Sequence, residues 1–237
     1  MQDFYEITSA ATEEQRQNLA ELTGSGFGSA PDTLCNHIRY LRFGSIGQIF
    51  CYTSWKQVVT DVADQVAISW SEVLGDRTWH DLSTQEIEDA VVVKQFQHLL
   101  EQLRPEQRQH LLMDLTRESD DPHLEGFLLG GGAMLAARMS GFGVYVLAST
   151  VLGSLTGALG ITLPFAVYMG VSQTLALVLG PVGWAALAGG VLFSLNQPNW
   201  NRLVLSVLHI ATLRHSATPS GATAEQQYSK AGSIAVG

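Results

Sequence analysis

Polar and apolar residues in the first half of the chain follow the period of an α-helix. Between residues 54 and 73, apolar side chains recur every three or four positions: Trp55, Val58, Val59, Val62, Ala63 and Val66. A second amphipathic helix is predicted from Ser83, where Glu86 completes a capping box, to about Leu103. No strict polar–apolar alternation persists, so the fold class predicted from this pattern is all-α.

Further helix boundaries are indicated by capping and helix-breaking residues. Thr12 is a predicted N-cap for a helix that ends at the glycine-rich residues 24–31. A segment at 32–43 precedes a glycine-containing turn at 44–47, and Pro105 suits the first turn of a helix that runs to about Arg117. Acidic side chains at the start of the helix after Ser83 are interpreted as favourable to its dipole: Glu86, Glu88 and Asp89.

The most distinctive feature of the second half is a long uncharged stretch. Residues 139–201 contain no Asp, Glu, Lys, Arg or His over 63 positions. Residues 142–163 correspond to about 33 Å of helix, close to the thickness of about 30 Å of a bilayer core. The sequence therefore predicts a membrane hairpin whose first span is residues 142–163, whereas a fully buried soluble core is the alternative.

Two prolines divide the remainder of the uncharged stretch. Pro164 marks a turn or a helix start, and Pro181 follows Gly180 in the middle of the apolar residues. The preferred interpretation is one second span at about 165–193, kinked at Pro181. The other is two shorter helices with a bend or re-entrant point at residues 180–183.

The basic residues around the uncharged stretch indicate its topology. Arg138 precedes the stretch, and Arg202 and Arg214 follow it, without any acid between residues 126 and 224. An even number of spans places Arg138 and Arg202 on one side, which the positive-inside rule identifies as cytoplasmic. The predicted location is the membrane, with both termini in the cytoplasm.

Small residues suggest how the hairpin packs and where it is joined. Ser149, Gly153 and Gly157 lie four positions apart, as in a helix-packing or self-association face. Three consecutive glycines form a predicted hinge within residues 126–140: Gly130, Gly131 and Gly132.

Four regions result from these patterns. They are an acidic helical region at 1–125, the hinge region at 126–140, a hairpin with an amphipathic exit helix at 141–215, and a tail at 216–237 that is predicted to be disordered. The exit helix at 201–214 has an apolar stripe, with Arg202, Ser206 and His209 opposite or at its margin. It is either interfacial or faces a soluble core. The predicted architecture is an N-terminal amphipathic bundle followed by a glycine-rich apolar hairpin.

Charge and motifs narrow the range of functions. The net charge of -9 argues against nucleic-acid binding, and the N-terminus lacks the features of a signal peptide, so Cys35 and Cys51 are expected to be reduced. Zinc spacings, a phosphate-loop motif and a nucleophile elbow are absent from the sequence. No catalytic, metal-binding or cofactor-binding residue is predicted.

Four stretches of the chain carry a family resemblance: HIRYLRFGSIGQIF at 37–50, WKQVVTDVADQV at 55–66, LSTQEIED at 82–89 and LPFAVYMGVSQTLALVLGPVGWAAL at 163–187. They resemble the YaaW-like family. Phe43, Gly44, Asp61 and Val62 match the family pattern, whereas four residues depart from it: Arg39, Tyr40, Ser45 and Trp55. Proteins of this kind are also labelled ubiquinol–cytochrome c chaperone-like, which implies an assembly or chaperone role at a membrane.

The sequence supports three hypotheses about function. The first is a non-enzymatic, membrane-associated protein, chaperone-like or a scaffold, which the hairpin anchors either alone or as an oligomer. Residues 1–125 would bind its protein partner. The second is a conditionally inserting pore former with a colicin-like layout, in which amphipathic helices shelter an uncharged hairpin. The third is a soluble helical protein with a sheltered apolar core.

Overall fold

The computed structural model describes residues 1–68, 79–118, 141–158 and 198–216, and every regular element in these ranges is a helix. The predicted all-α class is therefore confirmed for this part of the chain. The helices are α1 Gln2–Ala10, α2 Glu13–Thr23, α3 Pro31–Phe50, α4 Trp55–Gln65, a 3-10 turn at Trp79–Asp81, α5 Thr84–Gln102, α6 Pro105–Glu118, α7 Gly141–Ala158 and α8 Pro198–Ser216. Predictions for the hinge, Arg138, Pro164, Pro181 and the tail fall outside these residues.

Capping boxes start three of these helices. Ser83 accepts a hydrogen bond from the Glu86 backbone, and Glu86 accepts one from the backbone of Ser83, as predicted. Thr12 and Ser54 form equivalent boxes at the starts of α2 and α4. These local hydrogen bonds satisfy backbone donors that a helix cannot pair internally, so the sequence pattern located the starts at Thr12 and Ser83, whereas the cap at Ser54 was not predicted.

Gly44 interrupts α3. Its backbone adopts φ +71° and ψ −176°, which is not helical, so α3 consists of two helices joined across a kink. Glycine reaches this region of positive φ without the steric penalty that a Cβ imposes. The predicted break at 44–47 is thus a kink at one residue, after which the chain remains helical to Phe50.

Helix α1 has no counterpart among the predicted elements. It is short, and its sequence offers only two deeply buried side chains, Phe4 and Thr8. The Phe4 ring lies 4.8 Å from the Trp55 ring, centroid to centroid, at 52° between the planes. An aromatic contact of this kind adds about 0.5–1.5 kcal/mol to the burial of the two rings. Tertiary packing rather than intrinsic propensity therefore accounts for this helix.

Helix α8 is the centre of the described structure. It contacts α1, α2, α3, α4, α5 and α7, and it is buried on all sides between Leu203 and Leu213. Ser206 and His209, predicted at its polar margin, are fully buried as well. The alternative in which the exit helix faces a core is the one observed.

Helix α7 lies in the same core, although it begins the uncharged stretch. It packs against α8 and α5, and its side chains join one continuous apolar cluster with those of the amphipathic helices. Its hydroxyl groups donate to carbonyls four residues earlier, as Thr150 does to Val146 at 2.8 Å and Ser154 to Thr150 at 2.8 Å. These bonds satisfy the polar side chains inside the helix itself.

Within the four described ranges, no helix combines the length and apolar character that a membrane crossing requires.

Candidate functional site

A buried carboxylate on α5 marks the most polar point of the core. Glu88 has no exposed surface, and its Oε1 accepts a hydrogen bond of 2.6 Å from Nε1 of Trp55 on α4. Nε of Arg214 on α8 donates to Oε2 at 2.8 Å, and Nη2 of Arg214 donates to Oε1 at 3.0 Å. The carboxylate therefore joins α4, α5 and α8 through three N–H donors, in the two-point geometry typical of arginine–carboxylate pairs.

Arg214 extends this network to the N-terminal helix. Its Nη2 and Nη1 donate to the Asp3 carboxylate at 3.0 and 3.3 Å. The side chain of Asp3 is 40% exposed, whereas that of Glu88 is 0% exposed. One guanidinium thus bridges an exposed carboxylate and a buried one. We call Asp3, Trp55, Glu88 and Arg214 the arginine network.

The charges in the arginine network influence one another. Burial raises the pKa of Glu88, and the hydrogen bonds and charge of Arg214 and the Trp55 hydrogen bond oppose that rise. Burial lowers the pKa of Arg214, but its bonds to Glu88 and Asp3 outweigh burial and raise the pKa above its ordinary value. Arg214 therefore stays protonated, and its positive charge offsets the free-energy cost of burying the Glu88 carboxylate.

Two histidines of α8 make further polar contacts with neighbouring helices. Nε2 of His215 lies 2.8 Å from Oδ1 of Asp89, beside the arginine network. Nε2 of His209 lies 3.0 Å from the carbonyl oxygen of Gln15 on α2. Burial lowers the pKa of His209 to about 4, although the hydrogen bond to Gln15 opposes this shift. His209 is therefore neutral at neutral pH.

At the other end of α8, Arg202 contacts the last turn of α2. Its Nη1 donates to the Thr23 carbonyl at 2.8 Å, and Nε2 of His37 lies 3.0 Å from the same oxygen. The next residue, Gly24, has φ +70° and ends α2 in the left-handed conformation. Carbonyls at a helix C-terminus lack helical partners, so a cation at this place is favourable.

Gly24→Ala is expected to lower the free energy of unfolding by about 1–2 kcal/mol, since a Cβ is disfavoured at positive φ. An added Cβ would also collide with the guanidinium of Arg202, which would have to move away from the Thr23 carbonyl. Urea denaturation would measure the loss. Gly26→Ala is the matched control, because an added Cβ there meets nothing within 4 Å. Equal stability of the two variants would refute this role for Gly24.

The sequence-predicted site residues lie at several different places. Ser149 and Gly153 are part of α7, where Ser149 is buried and its hydroxyl donates to the carbonyl of Tyr145. Gly157 belongs to the last turn of the same helix. Their packing role stays a prediction. Arg202 lies at the start of α8 and contacts α2. Arg214 lies at the end of α8 and contacts Glu88 and Asp3.

Sequence reasoning missed the arginine network. The interpretation that Glu88 and Asp89 favour the helix dipole does not include their partners, the consecutive residues Arg214 and His215. A weak signal was present, since Glu88 stands three and four positions before Val91 and Val92, on an apolar side of α5. Nothing local indicated a partner 126 positions away in the sequence.

The arginine network is a set of ion pairs and hydrogen bonds that connects α1, α4, α5 and α8.

In the described part of the chain, no group of three or more His, Cys, Asp or Glu side chains could hold a metal ion. Cys35 is buried and Cys51 is exposed, and both are free thiols. Burial raises the pKa of Cys35 to about 11, so this thiol is a weak nucleophile at neutral pH.

No protein-family model, curated protein or solved structure matches this chain. The resemblance to the YaaW-like family therefore stays a prediction.

Proposed function

We propose that this chain is a non-enzymatic, membrane-associated helical protein of the scaffold or assembly-factor type. In this proposal, the amphipathic helices form a body from which a glycine-rich apolar hairpin extends into the membrane. One observation carries the proposal. The uncharged stretch begins with α7 and ends at the start of α8, and these two helices pack against each other in one core. The residues between them start from and return to the same helical body.

The length of the intervening segment fits two crossings of a bilayer. Residues 159–197 comprise 39 uncharged positions, which correspond to about 58 Å of helix. Two crossings of a hydrocarbon core of about 30 Å need about 60 Å. Because α7 is part of the body, the hairpin of this proposal is 159–197 rather than beginning at residue 142, and two crossings of equal length place its turn near the midpoint, at about residue 178.

Membrane retention is the direct test of this proposal. The full chain should remain in the membrane pellet after an alkaline carbonate wash. Met169→Arg should reduce that retention, since a charge at the centre of a span costs about 2.5–3.5 kcal/mol on insertion scales. Gln109→Arg, on the exposed side of α6, is the control with the same charge change and should be retained. Complete extraction of the unmodified chain by carbonate would contradict the proposal.

The two native cysteines allow a test of topology without further engineering. Cys51 is exposed, whereas Cys35 is buried and its pKa is raised to about 11. A membrane-impermeant maleimide should therefore label Cys51 in inside-out vesicles and not in intact cells, if the body is cytoplasmic. Cys51→Ser should abolish labelling. Labelling of intact cells would place the helical body on the outer side instead.

Conditional insertion is a second candidate, and the burial of α7 favours it. Helix α7 is the first part of the uncharged stretch, and it is enclosed by amphipathic helices in the manner of a sheltered apolar segment. This candidate differs from a permanent membrane anchor in the solubility that it predicts for the purified protein. It requires a soluble chain that releases dye from liposomes, whereas a permanent anchor requires detergent for extraction. A soluble chain without leakage would favour the sheltered-core alternative.

A further inference from the structure

An open pocket lies where α8 meets the loop after α2. Its volume is about 670 Å³, within the range of about 300–1,000 Å³ typical of small-molecule sites. One wall is a face of α3 whose lining residues, Thr33, Asn36, His37 and Tyr40, recur three or four positions apart. The glycine-rich loop contributes Gly26 and Phe27 to the lining, and α8 contributes Arg202. We call this the loop pocket.

The charge of the loop pocket is opposite to that of the chain as a whole. The chain has 22 acidic and 13 basic residues, yet none of the described residues that line the pocket carries a carboxylate. Arg202 supplies the positive charge, and within the described ranges no acidic side chain pairs with it. Its Nη1 donates a hydrogen bond to the Thr23 carbonyl, and this bond holds the guanidinium in position. Arginine binds oxyanions through several N–H groups of its guanidinium, so the remaining N–H groups of Arg202 are suited to an oxyanion in the pocket.

The remaining lining residues complement an oxyanion that is attached to an organic group. The hydroxyl of Thr33 and the amide of Asn36 are neutral hydrogen-bond donors on the same wall. Tyr40 is 40% exposed, and Phe27, on the loop, is 90% exposed. An aromatic ring so exposed beside a cationic pocket is a surface for the apolar part of a ligand.

We propose that the loop pocket binds a phosphate ester, with Arg202 on the phosphate, Thr33 and Asn36 donating to its oxygens, and Phe27 and Tyr40 against the attached group. Arg202 is the first charged residue after the uncharged stretch 139–201. A lipid headgroup and a soluble phosphate ester are the two sources of this chemistry. The residues that carry this inference all belong to the described part of the chain, so the inference goes beyond the proposed membrane function and does not depend on it.

The decisive variant fills the pocket without disturbing its walls. A Cβ added at Gly26 meets nothing within 4 Å, and Gly26 has no positive φ, so Gly26→Leu should fold and place its side chain in the pocket. Arg202→Gln removes the charge, and Arg108→Gln, on the exposed side of α6, removes the same charge elsewhere. Urea denaturation of each variant would establish that it is folded.

Binding would be measured for the full chain with two probes. The first is glycerol 3-phosphate, followed by calorimetry, and the second is phosphatidylcholine vesicles with and without phosphatidic acid, followed by co-flotation. Gly26→Leu and Arg202→Gln should each weaken binding of the preferred probe at least about tenfold, since the first fills the pocket and the second removes the cation that binds the phosphate. Arg108→Gln should bind like the unmodified chain.

The outcomes of these measurements answer two questions: whether the loop pocket binds a phosphate ester, and whether that ester is soluble or a lipid headgroup. Binding of glycerol 3-phosphate that the pocket variants abolish identifies a soluble ester. Flotation that requires phosphatidic acid and that the same variants abolish identifies a lipid headgroup. Absence of binding to both probes, or binding that Gly26→Leu leaves unchanged, would overturn the proposal. Retention after the carbonate wash is expected to be equal in all these variants, so a failure here is distinguishable from a failure of the membrane proposal.

Discussion

Arg214→Gln is expected to lower the free energy of unfolding by about 3–5 kcal/mol, the cost of removing one partner from a buried ion pair. The variant leaves Glu88 in the core with only the Trp55 N–H of its three donors, because both bonds from Arg214 are lost. Glu88 has no exposed surface, so its carboxylate depends on these protein donors rather than on water. Urea unfolding at neutral pH would measure the loss.

Two further variants separate burial of the charge from the number of contacts. Asp3→Asn removes a carboxylate that is 40% exposed from the same guanidinium, and should cost no more than about 1 kcal/mol. Glu88→Gln in the background of Arg214→Gln should recover part of the stability, because no unpaired buried charge remains. A small effect of Arg214→Gln alone, equal to that of Asp3→Asn, would show that the network does not hold α8 in place.

The second large effect is a loss of stability in acid that depends on His209. Burial lowers its pKa from 6.5 to about 4 in the folded chain. The unfolded chain therefore takes up a proton on this side chain at a higher pH than the folded chain does. The contribution of His209 is fully present above pH 6.5 and is lost as the pH falls to about 4, by about 3 kcal/mol in total.

The measurement is the free energy of unfolding as a function of pH for the unmodified chain and for His209→Gln. The variant should show a flatter dependence between pH 6.5 and 4, while His110→Gln, at an exposed position, should keep the original slope. A paired comparison is needed because other groups titrate in the same range. Burial also lowers the pKa of His98, and burial raises the pKa of Glu88, which acts in the opposite direction. Parallel curves for the unmodified chain and His209→Gln would refute the prediction.

Local chemistry made much of the helical structure predictable. The capping boxes at Thr12 and Ser83 place a donor and an acceptor three residues apart, and both are present in the structure. The helix predicted after Ser83 runs from Thr84 to Gln102, and the one predicted from Pro105 runs to Glu118. Such boundaries depend on neighbours within one turn, which is the distance over which sequence patterns are informative.

The candidate site could not be predicted in the same way, because its partners are distant in sequence. Glu88 and Arg214 are separated by 126 positions, and Arg202 and Thr23 by 179. The periodicity of α8 suggested one apolar side, yet Ser206 and His209 are buried too, because helices surround α8. Amphipathicity indicates a buried side only where solvent remains on the other.

The sequence by itself determined the all-α class, the capped helix starts and the position of a 63-residue uncharged stretch. Each of these follows from residue type and from neighbours within a few positions. Only the tertiary structure decided that α7 and α8 share one core with the amphipathic helices, and that Arg214 faces Glu88 there. The reason is physical: an apolar helix loses contact with water equally well in a protein core and in a bilayer, and a charged side chain is stable in a core only beside its partner.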